Sequence, residues 1–250
     1  MRRLLLAIEL SQRTGSVAVG PWDPHASSTD VGGVEPLERP VPTASHDADM
    51  LLPTIDDVLA SIGAGPADLA AIAVSVGPGG FTGLRIATTA AKCMADALGV
   101  PIVAVPSALV AACGASLEGD ARTSTGPWVV ALASKGPSAW ITGVVGNGAD
   151  IAVDGTPGLR TPGEICWTSS SGVGFRTLLA DEYAPPGLVD HARGAGLEIA
   201  RPSFRARDCW GIGRSMLARG ETIDPLRIAP MYPREPEAVS LWRERHGDAR

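Results

Sequence analysis

Lysine is nearly missing from this chain: Lys92 and Lys135 are the only two in 250 residues, and arginine supplies the rest of the positive charge. That is a compositional bias and points to no activity. There is also no basic surface to read, because the formal net charge is −6. A protein that grips nucleic acid unaided sets a basic face against the phosphates. Any RNA contact is therefore expected to be local or shared with a partner. The last arginines, Arg234, Arg243, Arg245 and Arg250, alternate with Glu235, Glu237 and Glu244 as a solvated mixed surface.

Other absences remove whole classes of chemistry. Cys93, Cys113, Cys166 and Cys209 lie far apart with no C-x-x-C pair, against both a zinc ribbon and a small disulfide scaffold. His25, His46, His191 and His246 include no H-x-x-x-H or H-E-x-x-H spacing, so no helix-borne metal site is encoded. There is no G-x-S-x-G elbow, which leaves Ser75 and Ser171 without a nucleophile signature. The opening MRRLLLAIEL holds an apolar run too short for a signal sequence and broken by Glu9, and no window approaches a membrane span. The expected address is the cytoplasm. The residues do not read as a self-sufficient catalyst.

What is present suits a globular protein with a real core: 45% hydrophobic and 19% charged residues, with 30 glycines and 21 prolines spread without period. LLLAI (4–8) and SVAVG (16–20) read as strands around a polar turn, and LERPVP (37–42) as an edge strand because of its prolines. A helix is expected from an N-cap at Ser45 to Ile62, with Asp47 and Asp49 in its first turn and Gly63 as its stop. Pro53 either kinks it or marks its true first turn. LAAIAVSV (69–76) and IVAV (102–105) read as buried strands either side of a helix that Thr82 can cap, running to Leu98 and stopping at Gly99. Beyond Pro106 come a helix (107–117), strands at 128–133, 139–145 and 150–155, a short helix from Pro162, a strand running into another glycine turn over 166–175, a helix near 206–219 and a last helical turn or two from Glu235. The two halves, 1–105 and 106–250, suggest a duplicated fold of mixed sheets flanked by helices, without a visible sequence repeat.

Gly77, Pro78, Gly79, Gly80, Phe81, Thr82, Gly83 and Arg85 form the most distinctive stretch, GPGGFTGLR, between a strand and a small-residue helix. One reading is a cradle of backbone amides for an anion. The other is a turn that lets a helix pack closely. The stretch lacks a P-loop lysine and has the wrong glycine register for a dinucleotide fingerprint, which favours the structural reading. The following helix carries one stripe of Leu84, Ala87, Ala91, Met94 and Leu98 and another of Ile86, Ala90, Cys93 and Ala97. A helix apolar on two sides is buried on two sides, so Cys93 is expected to be an inert core thiol. Spare apolar surface on this helix and on 45–62 points to a protein interface or to a wholly internal core.

LLLAIELSQRTGSVAVG, SHDADMLLPTIDDVL, VSVGPGGFTGLRIATTAAKCMADALGVPIVAV and DPLRIAPMYPREPEA together resemble, in order and spacing, the TsaB (YeaZ) family. The resemblance covers most of the first half and the tail, is specific around 77–92, and is weak from 107 to 200. It implies an α/β fold of two tandem βββαβα subdomains of the actin-like ATPase (ASKHA) type. It also implies a non-catalytic subunit that binds and activates a TsaD-like transferase in forming threonylcarbamoyladenosine in tRNA, with a TsaE-like ATPase joining the complex. A homodimer of the free chain, tRNA contact through the complex alone, no intrinsic cofactor and ATP or ADP at the complex interface belong to the same expectation.

By that resemblance the partner surface is a helical bundle, for which Met50, Leu51, Ile55, Leu84, Thr88, Ala91 and Met94 are the candidates, and GPGGFTG positions a docking helix. Glu9 stands where the family usually has aspartate, as a vestigial nucleotide or metal contact. Ala133, Ser134 and Lys135 replace an Asp-Ala-Arg segment. Two rival functions share the fold: an active ATPase or phosphotransferase, and a peptidase acting on the partner.

Overall fold

The structure is a computed structural model, described here over residues 3–22, 35–42, 50–118 and 126–233 together with 242, 245 and 246. The expected N-cap at Ser45 with His46, Asp47 and Asp49, His25, and the expected helical start at Glu235 lie outside these residues.

The first half forms β1 (Leu4–Glu9), β2 (Gly15–Pro21), β3 (Leu37–Val41), α1 (Leu51–Ser61), β4 (Leu69–Gly77), α2 (Phe81–Leu98) and β5 (Ile102–Pro106). Its sheet has the order β3-β2-β1-β4-β5, with β1, β4 and β5 parallel and the β1–β2 and β2–β3 pairs antiparallel. Pro40 lies on the edge strand β3, where a missing donor does no harm. β1 is apolar on consecutive positions and wholly buried because both faces of the sheet are covered. α1 starts at Leu51, so Pro53 falls in its first turn, where the helix needs no N–H from it.

The second half forms α3 (Ser107–Glu118), β6 (Trp128–Lys135), β7 (Ser138–Asn147), β8 (Asp150–Arg160), β9 (Thr177–Ala180), α4 (Pro186–Gly194), β10 (Glu198–Ala200) and α5 (Ala206–Ala218). Read as β8-β7-β6-β9-β10, this sheet repeats the order of the first, and each neighbouring pair repeats its sense. The duplication is therefore real at the level of topology.

Residues 166–175 are not the expected strand. The Gly172 amide donates to the Ser169 carbonyl at 2.9 Å and the Val173 amide to Ser169 Oγ at 3.0 Å, so the run closes on itself as a turn. Only an isolated bridge, Thr168 to Gly174, remains of it, and pairing resumes at β9. α4 and β10 are additions that the apolar pattern did not announce.

Three cores hold these layers together. Between the sheets, α3 and α5 pack Val110, Cys113, Cys209 and Ile212 against Leu5, Ala7, Ala73 and Val103 on one side and Trp128, Val130 and Leu179 on the other. A Cβ on Gly213 would collide with that of Ala73, so glycine lets α5 lie close on β4. On the outer face of the first sheet, α1 and α2 cover Leu6, Ile8, Ile72 and Val74. α4 covers the outer face of the second with Leu188 and Ala192. Each fully buried aliphatic side chain contributes about 1.5–3 kcal/mol before the entropy of ordering is subtracted.

The chain then returns to where it began. The Ile223 amide donates to the Ile102 carbonyl at 3.0 Å and the Met231 amide to the Val76 carbonyl at 2.7 Å, with Ile228 buried in the outer core between them. Residues 223–231 thus strap α2 and the β5 side of the first sheet.

Candidate functional site

The glycine turn resolves into a close approach of two backbones. Gly77 leaves β4 with φ +107°, a conformation open to glycine. Pro78 and Gly79 follow, and Gly80, in extended geometry, caps α2. A Cβ on Gly79 would strike the Ser11 carbonyl oxygen, and one on Gly83 would strike that of Leu10. The Gly80 amide donates to the same Ser11 carbonyl at 2.7 Å. The amide at the helix cap is therefore satisfied by protein, and the glycines seat α2 against the β1–β2 loop. Thr82 is not the cap. The cap lies two residues earlier, at Gly80, with the Leu84 amide on the Gly80 carbonyl at 3.1 Å, and Thr82 is exposed.

α2 then sorts its two stripes. Leu84, Ala87, Thr88, Ala91 and Ala95 are buried toward the sheet. On α1, Leu51 and Ile55 are buried in the same way. Five of the seven candidate docking residues, Leu51, Ile55, Leu84, Thr88 and Ala91, therefore face the outer core and offer no outer surface, because the sheet takes the stronger apolar stripe of each helix. Met50 and Met94 remain half-buried at the margin.

The second stripe of α2 is only partly taken by the outer core, against which Ile86 and Ala90 pack. Cys93 and Ala97 are exposed, and Ile86 and Ala90 are half-buried. Cys93 is thus not a core thiol. Leu52 on α1 is also turned out, 54% exposed.

At the N-terminal end of α2 an aromatic and cationic cluster stands beside this stripe. The Arg85 guanidinium lies 3.7 Å from the Phe81 ring centroid and its Nε donates to the Tyr232 hydroxyl at 3.1 Å. The two rings are 5.0 Å apart, and both are exposed. Two turns on, Lys92 Nζ donates to the Leu226 carbonyl at 2.8 Å. Tyr232 was not singled out by sequence reasoning. Its signal is a lone aromatic between prolines in a segment that the resemblance had already marked.

Glu9 sits at the end of β1, pointing into the space between the sheets, and has no exposed surface. Its Oε1 accepts the Ser11 amide at 2.6 Å, and its Oε2 has no partner. The nearby Ser75 hydroxyl is paired with that of Ser107 at 2.7 Å. Burial pushes the Glu9 carboxyl above the usual carboxylate range, and the neighbouring Asp208 charge adds to this; the hydrogen bond from Ser11 works against it. Cys113, in the same core, is pushed up to about 12, again chiefly by burial. Among the described residues no three His, Cys, Asp or Glu side chains are grouped to hold a metal. A sealed acid favoured in its neutral form is poorly suited to a metal–nucleotide. In the second half, Ala133 (φ +50°), Ser134 and Lys135 end β6 at the Gly136–Pro137 turn, where the ladder to β7 shifts register.

Comparison with known proteins gives this geometry a family. A model of the family TsaD, tRNA N6-adenosine threonylcarbamoyltransferase, matches residues 24–155, more than half of the chain. A Bacillus subtilis protein named tRNA threonylcarbamoyladenosine biosynthesis protein TsaB is 43% identical over 56 residues, 22% of this chain and 24% of that protein. An uncharacterised Mycobacterium tuberculosis protein is 38% identical over 88 residues, 35% of this chain and 41% of its own length. The matched stretches thus span well under half of these relatives. Two solved Pseudomonas aeruginosa structures superpose on nearly the whole chain. YeaZ has a TM-score of 0.71 at 22% identity, covering 91% of this chain and 100% of that one. A protein described as similar to the peptidase YeaZ has a TM-score of 0.71 at 21% identity, covering 93% and 100%. These structures share the fold. The family match makes this chain a member of the TsaD family, and its fold is the actin-like fold of YeaZ.

Proposed function

We propose that this chain is the non-catalytic subunit that binds and activates a TsaD-like transferase in forming threonylcarbamoyladenosine in tRNA. The observation that carries the reading is the outer face of α2, where Cys93 and Ala97 are exposed beside the half-buried Ile86 and Ala90, in a protein of this family. Small residues let a second helix approach closely, and Phe81, Arg85 and Tyr232 beside them are the residue types that anchor interfaces. Of the first candidates, Met50 and Met94 belong to this surface. Leu51, Ile55, Leu84, Thr88 and Ala91 support it from beneath.

The same surface serves a homodimer when the partner is absent. A TsaE-like ATPase joins the complex, ATP or ADP binds at the complex interface, and tRNA is modified by the complex. The reading as an ATPase or phosphotransferase is disfavoured by the burial of Glu9, whose carboxylate would have to reach solvent and ionise. The peptidase reading has no nucleophile elbow to rest on.

The test is the mass in solution of the chain alone and mixed with the TsaD protein of its own organism, repeated with Met94→Glu. A one-to-one complex lost on the charged substitution is expected. Failure to associate, with or without nucleotide and the TsaE protein, overturns the reading.

A further inference from the structure

We propose that the cleft between the two halves receives one unpaired nucleotide of an RNA strand, stacking its base and holding its phosphate. This gives the RNA of the reading above a place on this chain, and it rests on that reading for the kind of RNA.

The cleft has a volume of about 480 Å³, within the range of small-ligand sites. One wall is the β1–β2 turn with Gln12 and Arg13; the other is formed by residues 181–183 after β9 and 201–204 before α5. It therefore opens beyond the carboxyl ends of β1 and β9, where open α/β sheets present their ligand crevices. Tyr183 is 54% exposed, an unusual position for one of only two tyrosines in the chain. Asp181 fixes it there, its Oδ1 accepting the Tyr183 amide at 2.9 Å. The Arg13 guanidinium lies 5.1 Å from the Tyr183 ring centroid. Arg201 and Phe204 complete the lining. Among the described residues neither Arg13 nor Arg201 is in an ion pair.

A guanidinium laid on an exposed aromatic ring is a stacking platform for a nucleobase, tolerant of sequence because every base has a π-face. The charge balance selects the rest of the ligand. Two arginines match a backbone phosphate. Asp181 and Glu182 on the same rim oppose a polyphosphate, and Glu9, the one acid of β1 that could serve its metal, is sealed behind Ser11. A single nucleotide of a strand fits this set better than a nucleoside triphosphate. The overall charge of −6 is compatible, since the positive groups needed are local.

The experiment titrates a labelled RNA stem-loop with the full chain alone and reads fluorescence anisotropy at low and physiological salt. Adenosine monophosphate and the same RNA annealed into a duplex are the comparison probes. The stem-loop is expected to bind, more weakly as salt rises, and the duplex not to bind. Tyr183→Ala and Arg13→Ala should each weaken binding roughly tenfold, while Tyr183→Phe keeps it. Both side chains are exposed, and unchanged melting curves will show that the variants fold. The proposal is overturned if the duplex binds as well as the loop, if Tyr183→Ala binds like the parent, or if the monophosphate binds and the stem-loop does not. Gly80, the cap of α2, also lines the cleft, but Tyr183 belongs to the second half and Met94 lies about 20 Å along α2 from that cap. Tyr183→Ala should therefore leave association with the transferase intact, and Met94→Glu should leave RNA binding intact, which separates the two failures.

Discussion

The carbonyl of Ser11 lies against Gly79 so closely that no side chain fits at that position, while the same carbonyl accepts the Gly80 amide at 2.7 Å. The start of α2 is thereby locked to the loop after β1. Gly79→Ala should destabilise the protein by about 1–3 kcal/mol, because the obstacle is backbone and cannot rotate aside. Gly83→Ala, aimed at the Leu10 carbonyl, should do the same. Gly194→Ala has open space around its position and should change stability little. Thermal or urea melts of the three variants check the ranking, and a neutral Gly79→Ala would remove the packing account of the turn.

Glu9 gives stability an unusual pH dependence. Its carboxyl titrates higher in the folded chain than in the unfolded one, so between those two values the folded state binds the extra proton. The contribution is fully present below the ordinary glutamate value and is lost as pH rises through the folded-state value. Glu9→Gln keeps an oxygen for the Ser11 amide and cannot ionise. It should melt close to the parent at pH about 4.5 and increasingly above it toward pH 8. A melting difference that shrinks as pH rises would contradict the neutral, buried state of this acid.

The first half was legible because its elements announce themselves in one dimension. β1 and β4 are unbroken apolar runs, and Gly63 (φ +64°) and Gly99 (φ +65°) stop their helices where glycine was expected to. Which stripe of α2 meets the sheet was not legible. Both stripes are apolar, and the choice is made by the depth of side chain the sheet needs: Leu84 fills it, while Cys93 and Ala97 do not. The stretch 166–175 misled because Trp167, Thr168 and Phe175 have strand character, whereas Ser169 accepts the Val173 amide on its own hydroxyl and Ser170 gives its hydroxyl to Asp154. The cleft was invisible for a different reason. Arg13 and Tyr183 are brought together only when the two halves close on α3 and α5.

α5 borrows its cap from another element. Arg205 at the N-cap offers no side-chain acceptor, and Ser16 Oγ of β2 accepts the Ala206 amide at 2.8 Å instead. The same hydroxyl donates to Glu38 Oε1 at 2.8 Å, and Glu38 Oε2 accepts from Arg207 Nε at 2.7 Å. Ser16→Ala should cost about 1–2 kcal/mol, as loss of a buried cap does. Arg207→Ala should cost under about 1 kcal/mol, since that guanidinium is substantially exposed and its pair is screened. Denaturant melts of both variants and of the double variant test whether the clamp acts through Ser16.

The cysteines supply a footprint of the docking surface without any substitution. Cys93 and Cys166 are exposed, one on the outward stripe of α2 and the other in the second half, while Cys113 and Cys209 are buried. Burial also raises both core thiols, Cys113 to about 12, which leaves them almost no thiolate at neutral pH. A thiol reagent at neutral pH should therefore modify Cys93 and Cys166 in the folded chain and spare the other two until it is denatured. Adding the TsaD protein should protect Cys93 and leave Cys166 reactive, since only the α2 stripe is covered. Mass spectrometry of the modified peptides reads both sites in one sample, with Cys166 as the internal reference. If a complex forms and Cys93 stays as reactive as before, the partner binds elsewhere and the outward stripe of α2 is not the docking surface.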